Sequence, residues 1–372
     1  MTYLEILRHL IACDTTTGHA TPAAVEWIAS YLKPLGGVAT HRVRSADGAR
    51  ASLIICIGEG ARPLLLSGHL DVVPAGAGWT MPPFALTETP DKVFGRGTTD
   101  MKGAIAVALS LIPDIVAHGK SACIVLTPDE EVAGTGVHEA LDALDRLGIL
   151  PRAAGCIVME PTGLEVLLGQ KESVIGVIEV HGKTAHSSDP AQGANALAGA
   201  MAAYGAFYGA LKPFQDRSDA AFQVPHCVAD ITLFQSGIAA NMIPDKAEMA
   251  YSGRFLDAAQ KEAFMRALSE ALMRLPLPAG VSVAHRETAG LRGFATDAGD
   301  AFARRILTHA PMAAYPKVSY GTEAGCFSAR GIPTLILGPG RIAQAHQPDE
   351  FIEKGQLDDW RRLLWQIVLD FG

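Results

Sequence analysis

The sequence lacks the excess of basic residues that binding to nucleic acid or to an anionic membrane requires. It has 31 Lys and Arg against 39 Asp and Glu, and its formal net charge is −8 at pH 7. Both of those partners carry dense negative charge and favour a basic protein face. We therefore expect no nucleic-acid partner and no membrane partner, whereas metal cations and amine-bearing small molecules stay open as ligands.

The sequence also has no long apolar run, and its first residues do not have the pattern expected of a leader segment. Residues 1–13 interleave apolar and charged side chains at helical spacing, and no basic segment precedes an apolar one. The long uncharged stretch at 193–211 is dominated by Gly and Ala and contains Asn195. It therefore predicts a tightly packed helix rather than a membrane span. We expect a cytoplasmic protein.

Several catalytic and redox signatures are missing. No Cys-x-x-Cys pair occurs among the six cysteines, which predicts buried, reduced thiols. No Gly-x-Ser-x-Gly segment supports a serine hydrolase, and His138-Glu139 lacks the second histidine of a zincin motif. The partial nucleotide-binding motifs each lose an essential glycine, which is replaced by Asp100, Asp114 or Val177.

Four short apolar runs, each bounded by turn-forming residues, have the length of β-strands. They lie at 63–66, 122–126, 156–159 and 334–337, and helical stretches at 103–117 and 137–147 separate the first three. Continuous apolar runs that alternate with helices are typical of a parallel sheet buried on both faces. The pattern predicts an α/β fold with a mixed, mostly parallel sheet covered by helices.

The middle of the chain has a different pattern. An alternating segment at 173–181 is followed by an Ala-rich helix, two further strand-like segments and an amphipathic helix at 259–274. No βαβ repeat is visible there. We therefore predict an inserted α+β, ferredoxin-like domain over 178–290, which would serve as a lid or dimerisation domain. Residues 1–177 and 291–372 would form a discontinuous catalytic domain.

Histidine and acidic residues follow directly after the first three strand-like runs. His69 and Asp71 follow the first, Glu130 and Glu131 the second, and Glu160 the third. Because ligands bind at the carboxyl ends of strands in open α/β sheets, we expect these side chains to converge. Several carboxylates in one cleft repel each other unless a cation compensates them, so the cluster predicts a metal site.

The segments around these residues resemble the M20 family of metallopeptidases, and most closely its acetylornithine deacetylase branch. The resemblance runs from the first helix to near the C-terminus, and its five motifs occur in the family's order. They are SGHLDVVP (67–74), GRGTTDMKG (95–103), TPDEE (127–131), MEPT (159–162) and AHQPDEF (345–351). Any one of these motifs is weak evidence, but the five together are highly specific.

The resemblance implies two Zn²⁺ per chain, for which Co²⁺ or Mn²⁺ can substitute. His69, Asp100 and Glu160 would hold one ion. Asp100, Glu131 and His346 would hold the other, with Asp100 bridging the pair.

The family also implies roles for residues that do not bind metal. Glu130 would be the general base, and Asp71 would hydrogen-bond the imidazole of His69. The peptide bond after Asp100 would be cis. His186, in the predicted insert, would stabilise the oxyanion, and in dimeric relatives the neighbouring subunit supplies that histidine.

The implied reaction is the hydrolysis of an Nα-acyl amino acid in a homodimer. Asn241 and Arg254 would bind the substrate, since a planar guanidinium suits an α-carboxylate. Nα-acetyl-L-ornithine is the favoured substrate, which would place the chain in arginine biosynthesis. Nα-acetyl-L-citrulline deacetylase and a succinyl-diaminopimelate desuccinylase-like activity are the alternatives.

Overall fold

The computed structural model describes residues 1–19, 21–45 and 48–371. Within these ranges no helix is both long and apolar enough to cross a membrane. The α-helices of the described chain are α1 (Tyr3–Ala12), α2 (Pro22–Leu32), α3 (Lys102–Ala117), α4 (Gly136–Arg146), α5 (Ala196–Leu211), α6 (Ala258–Met273), α7 (Ala301–Ile306), α8 (Ala324–Ala329) and α9 (Lys354–Phe371).

The β-strands vary in length from two residues to ten. They are β1 (Val38–Arg44), β2 (Ala51–Ile57), β3 (Leu64–His69), β4 (Thr87–Glu88), β5 (Lys92–Phe94), β6 (Ala122–Thr127), β7 (Gly155–Val158), β8 (Gly169–Gln170), β9 (Glu172–His181), β10 (Ala185–His186), β11 (Val228–Ser236), β12 (Met242–Ile243), β13 (Lys246–Phe255), β14 (Ser282–Ala289), β15 (Phe294–Ala295), β16 (Lys317–Val318), β17 (Thr334–Ile336) and β18 (Phe351–Glu353).

The chain divides into two compact units. The first contains Met1–Gly169, Ala295–Pro316 and the chain from Thr322 onward, and the second contains Gln170–Phe294 and Lys317–Gly321. The boundary predicted between residues 177 and 178 is wrong, because it cuts β9, whose ladder to β13 is continuous from Glu172 to His181. The boundary predicted after residue 290 likewise falls short of Phe294.

The first unit is built on a six-stranded sheet with the order β1-β2-β6-β3-β7-β17. Strands β6, β3, β7 and β17 are parallel, and β1 and β2 add an antiparallel edge. The four parallel strands are the four predicted apolar runs, and every one of their residues is buried. Helices α1, α2, α3 and α9 contribute to the same core. The predicted α/β fold class is confirmed.

The second unit has the chain order β9, α5, β11, β13, α6, β14. Its four longest strands form an antiparallel sheet with the order β11-β13-β9-β14, which is the ferredoxin-like arrangement predicted for the insert. Helix α5 begins where the Asn195 side chain accepts the N–H groups of Leu197 and Ala198. Its small residues allow close packing, since a Cβ on Gly199 would lie 2.6 Å from Val281.

Candidate metal centre and active site

Three parallel strands bring predicted site residues of the first unit to one edge of the sheet. His69 is the last residue of β3. A 3₁₀ turn at Glu130–Val132 follows the end of β6, and Glu160 lies two residues beyond β7, which ends at Val158. Because β6, β3 and β7 are parallel, these chain ends emerge on the same side. The expected convergence of these residues is therefore observed.

The imidazole of His69 faces two carboxylates. Its Nε2 lies 3.0 Å from Oδ1 of Asp100 and 3.6 Å from Oε1 of Glu160, and all three side chains are buried. Its Nδ1 lies 2.9 Å from the main-chain oxygen of Asp71. A carbonyl oxygen only accepts hydrogen bonds, so Nδ1 carries a proton, and a neutral ring with a metal at Nε2 would keep its proton on Nδ1. This tautomer leaves the lone pair of Nε2 free for a cation.

His346 makes the corresponding contacts on the other side of Asp100. Its Nε2 lies 3.1 Å from Oε1 of Glu131 and 3.3 Å from Oδ2 of Asp100. Asp100 therefore directs one oxygen to each histidine, which is the arrangement a bridging carboxylate needs. The Asp100–Met101 peptide bond is cis, as the resemblance implied.

Burial and, to a lesser extent, mutual repulsion raise the pKa of carboxyl groups in the cluster. Burial raises the pKa of Glu160 well above its ordinary value, and the charge of Asp100 raises it further. Burial and the charge of Glu131 also raise the pKa of Glu130, against the opposing effect of His69. Protons are therefore drawn into the cluster to reduce its negative charge.

A divalent cation would compensate the same charge. Hydrogen bonds to Asp100 and Glu131 raise the pKa of His346 to about 10. The ligand atoms of His69, Asp100 and Glu131 lie within 4.8 Å of one another. Carboxylate oxygens and imidazole nitrogens without thiolates form a donor set that fits Zn²⁺. The residues present therefore suit the metal that the sequence predicts.

Asp71 differs in detail from its predicted role. We expected its carboxylate to bind the imidazole of His69, but Oδ1 is 3.5 Å from Nδ1, farther than the main-chain oxygen at 2.9 Å. The carboxylate instead accepts the main-chain N–H groups of Glu130 at 3.1 Å and Glu131 at 3.0 Å. Asp71 thus positions the acidic turn with its side chain, and both its main-chain oxygen and its carboxylate face Nδ1 of His69.

Glu350 is a site-forming residue that the sequence prediction omitted. Its two oxygens accept the main-chain N–H groups of Gly97 at 3.0 Å, Thr99 at 2.9 Å and Asp100 at 3.1 Å. The guanidinium of Arg96 completes the set at 2.7 Å, with both side chains almost fully buried. Four donors on one carboxylate hold the loop that presents Asp100.

Arg96 extends this support to the segment that carries His346. Its guanidinium also donates to the main-chain oxygens of Gln347 at 3.4 Å and Ala75 at 3.2 Å. Arg96 and Glu350 both lie in motifs quoted for the family. The motifs therefore marked these residues, but only the fold shows that they form a pair.

Replacing Glu350 with Gln is expected to loosen the loop of Asp100, because an amide NH₂ group would face main-chain N–H donors. We expect the unfolding free energy of the metal-free protein to fall by about 3–5 kcal/mol, as when a buried ion pair loses one partner. Metal affinity should fall by about 10–100-fold. Urea denaturation and metal titration measure the two effects. Glu353→Gln is the control, since that carboxylate bonds to Gln344 instead. Unchanged metal affinity in Glu350→Gln would contradict this role.

Glu323 is a second buried acid without a predicted role. The Ser67 hydroxyl donates to its Oε2 at 3.4 Å, whereas Oε1 has no partner among the described residues. Burial raises the pKa of Glu323 to about 8. The residue belongs to the GTEA segment at 321–324.

His186, Asn241 and Arg254 belong to the second unit. His186 is exposed on β10, where it pairs with Met242 of β12, and its Nδ1 lies 2.7 Å from the hydroxyl of Ser188. Asn241 directly precedes β12. The structure therefore brings His186 and Asn241 close together within this unit.

Arg254 lies on β13 with a partly buried guanidinium. It donates to the hydroxyl of Ser252 at 3.1 Å and to the main-chain oxygen of Gly253 at 2.9 Å. Within the described chain no carboxylate lies at ion-pair distance, and burial lowers the pKa of the guanidinium. Arg254 therefore forms no structural ion pair among the described residues.

A mixed α/β sheet with histidines and carboxylates at its carboxyl edge is typical of metal-dependent hydrolases, and comparison with known proteins identifies the family. The profile described as Peptidase family M20/M25/M40 matches residues 65–370. Acetylornithine deacetylase from Proteus mirabilis (strain HI4320) is 31% identical, with 100% of this chain and 97% of that protein covered. The chain belongs to the M20/M25/M40 peptidase family and is a metal-dependent amidohydrolase.

Solved structures share the fold. An M20 family metallo-carboxypeptidase from Sulfolobus solfataricus has a TM-score of 0.79 at 16% identity, covering 98% of each chain. A dinuclear metal binding peptidase of the M20 family from Bacillus subtilis has a TM-score of 0.67 at 14% identity, covering 99% of this chain and 98% of that one.

Proposed function

We propose that this protein is a zinc-dependent deacetylase that converts Nα-acetyl-L-ornithine to acetate and L-ornithine, in the cytoplasm and as part of arginine biosynthesis. The observation that carries the proposal is the position of Asp100, with Oδ1 3.0 Å from Nε2 of His69 and Oδ2 3.3 Å from Nε2 of His346. The substrate class rests on relatives such as the acetylornithine deacetylase that is 31% identical to this chain.

Two ions would be held on either side of Asp100. His69 and Glu160 would complete one ligand set, and Glu131 and His346 the other. A metal pair, when bound, supplies an acidified water and a polarised amide carbonyl.

Glu130 is the proposed proton carrier. It stands in the 3₁₀ turn beside Glu131, and in the described chain its side chain has no hydrogen-bond partner. Its raised pKa suits a carboxylate that takes a proton from the attacking water and delivers it to the leaving amine. Asp71 holds the main-chain N–H of Glu130 and so fixes the position from which the carboxylate acts.

Substrate turnover tests the proposal. Purified protein at fixed Zn²⁺ is assayed with Nα-acetyl-L-ornithine, Nα-acetyl-L-citrulline and N-succinyl-LL-diaminopimelate, and the released amine is identified by mass spectrometry. We expect the highest kcat/KM with acetylornithine. A preference for acetylcitrulline would change the proposed side-chain specificity from ornithine to citrulline. The proposed deacetylation reaction would stay the same. No cleavage of any Nα-acyl amino acid would contradict the proposed function.

Arg254 is proposed to bind the α-carboxylate of the substrate, because its guanidinium has no acidic partner in the described chain. Arg254→Ala is expected to raise KM with little change in kcat, since the contact is present in the ground state and in the transition state alike. Losing a hydrogen bond to a charged group costs about 1.5–3 kcal/mol, which corresponds to a KM about 10–100-fold higher. Arg254→Lys should show a smaller increase. Unchanged steady-state kinetics in Arg254→Ala would show that Arg254 does not bind the substrate.

The proposal includes a homodimer formed through the second unit. Strand β11 is an edge of the four-stranded sheet, so one side of its backbone has no partner strand among the described residues. Leu233 and Phe234 on this strand are exposed, and Ile238 just beyond it is 89% exposed. An edge strand with exposed apolar side chains favours pairing with a second copy.

Subunit mixing tests whether His186 acts on the partner's site. His186→Ala and Glu130→Ala homodimers should both be nearly inactive. After subunit exchange, about half of the dimers are heterodimers with one intact site of two, so activity should recover to about a quarter of wild type. Mixing Glu130→Ala with Glu131→Ala is the control and should restore nothing, because each of the two heterodimer sites then contains one of the changes and neither site is intact. No recovery despite exchange verified by native mass spectrometry would show that His186 does not act across the dimer.

A further inference from the structure

Two cysteines lie directly opposite each other in the sheet of the first unit. Cys56 of β2 and Cys123 of β6 are Cα partners in an antiparallel ladder, and their thiols share a hydrogen bond. Opposed residues of antiparallel strands have Cα atoms about 4.5–5.5 Å apart. This separation falls within the range of about 4.4–6.8 Å that a disulfide bridges without backbone movement.

A cavity of about 290 Å³ leads to this pair, and both cysteines contribute to its wall. The cavity lies where β3 and β6 begin, because Pro63 and Ser121 also line it. The candidate metal centre lies at the ends of the same strands, at the opposite edge of the sheet. Cys56 is partly exposed, contrary to the prediction of buried thiols, whereas Cys123 is buried.

The pKa values of the two thiols are shifted in opposite directions. The hydrogen bond from Cys123 lowers the pKa of Cys56, and the charge of Arg152 at the cavity wall lowers it further, against the effect of burial. The same hydrogen bond and burial raise the pKa of Cys123 well above its ordinary value. An accessible thiolate beside a buried, protonated thiol is the usual arrangement of a redox-sensitive pair.

We propose that Cys56 and Cys123 form a peroxide-reactive dithiol that closes reversibly to a disulfide. The Cys56 thiolate attacks one oxygen of hydrogen peroxide, the O–O bond breaks, and a sulfenic acid forms on Cys56 while the other oxygen leaves as hydroxide and takes up a proton. The sulfur of Cys123 then attacks the sulfenic sulfur, the S–O bond breaks, and water leaves with the proton of Cys123. Two thiols and one peroxide thus give one disulfide and two waters. The bond would link β2 to β6, the strand whose other end leads to Glu130.

Peptide mapping of the intact, metal-loaded protein after a short exposure to hydrogen peroxide tests this proposal. We expect a cross-link between the peptides of Cys56 and Cys123, with the loss of two hydrogen atoms and reversal by dithiothreitol. The Cys56 thiol should be lost on the order of ten-fold faster than that of Cys13. Cys13 is the matched comparison because it is also partly buried, but burial raises its pKa.

Variants separate the two chemical steps. Cys123→Ser should stop the reaction at a sulfenic acid on Cys56, which a dimedone-type probe captures, and Cys13→Ser should leave the cross-link unchanged. The wild-type map does not depend on how well any variant folds. Oxidation of Cys56 and Cys13 at equal rates, or oxidation of Cys56 to sulfinic acid without a cross-link to Cys123, would overturn the proposal.

Discussion

Glu130→Gln is expected to lower kcat by about 10²–10⁴-fold while the protein keeps its metal, because an amide retains the shape of the side chain and cannot carry the proton. The carboxylate has no hydrogen-bond partner in the described chain, so the substitution breaks no structural contact. The protein should therefore unfold at the same urea concentration as wild type. Steady-state kinetics measure the loss of kcat, and metal analysis of the same preparation measures the metal that is retained.

The neighbouring residue provides the control. Oε1 of Glu131 lies 3.1 Å from Nε2 of His346, whereas the side chain of Glu130 has no hydrogen bond or ion pair with any described residue. Glu131→Gln is therefore expected to lose metal from one of the two positions, and added metal should partly restore its activity. An equal loss of metal in both variants would show that the proposed division between proton carrier and ligand is wrong.

Much of the first unit could be predicted because strands that are buried on both faces appear in the sequence as continuous apolar runs. Strands β3, β6, β7 and β17 are continuous apolar runs, and β3, β6 and β7 each lead into acidic or histidine residues. The prediction of four strands omits β2, although Ala51–Ile57 is equally apolar. β2 joins the sheet in the antiparallel direction and carries none of the predicted site residues.

Contacts between distant residues could not be predicted in the same way. Glu350 binds a loop 250 residues earlier in the chain, and its four donors include three main-chain N–H groups, which have no sequence signature. For Asp71 the sequence identified the residue, but not the hydrogen bonds that its carboxylate accepts from the main-chain N–H groups of Glu130 and Glu131. The domain boundary near residue 170 was missed because we placed it inside the alternating segment at 173–181, whereas the whole of β9 (Glu172–His181) belongs to the second unit.

Removing and restoring the metal tests the central claim most directly. Protein treated with a chelator, with its folding checked by circular dichroism, should lose its activity on Nα-acetyl-L-ornithine, because the bound metal supplies both the activated water and the polarised carbonyl. Titration with Zn²⁺ should restore activity until about two ions are bound per chain, as expected when Asp100 faces both His69 and His346, and Co²⁺ should also restore it. Full activity in a preparation shown by elemental analysis to contain no metal would contradict the account.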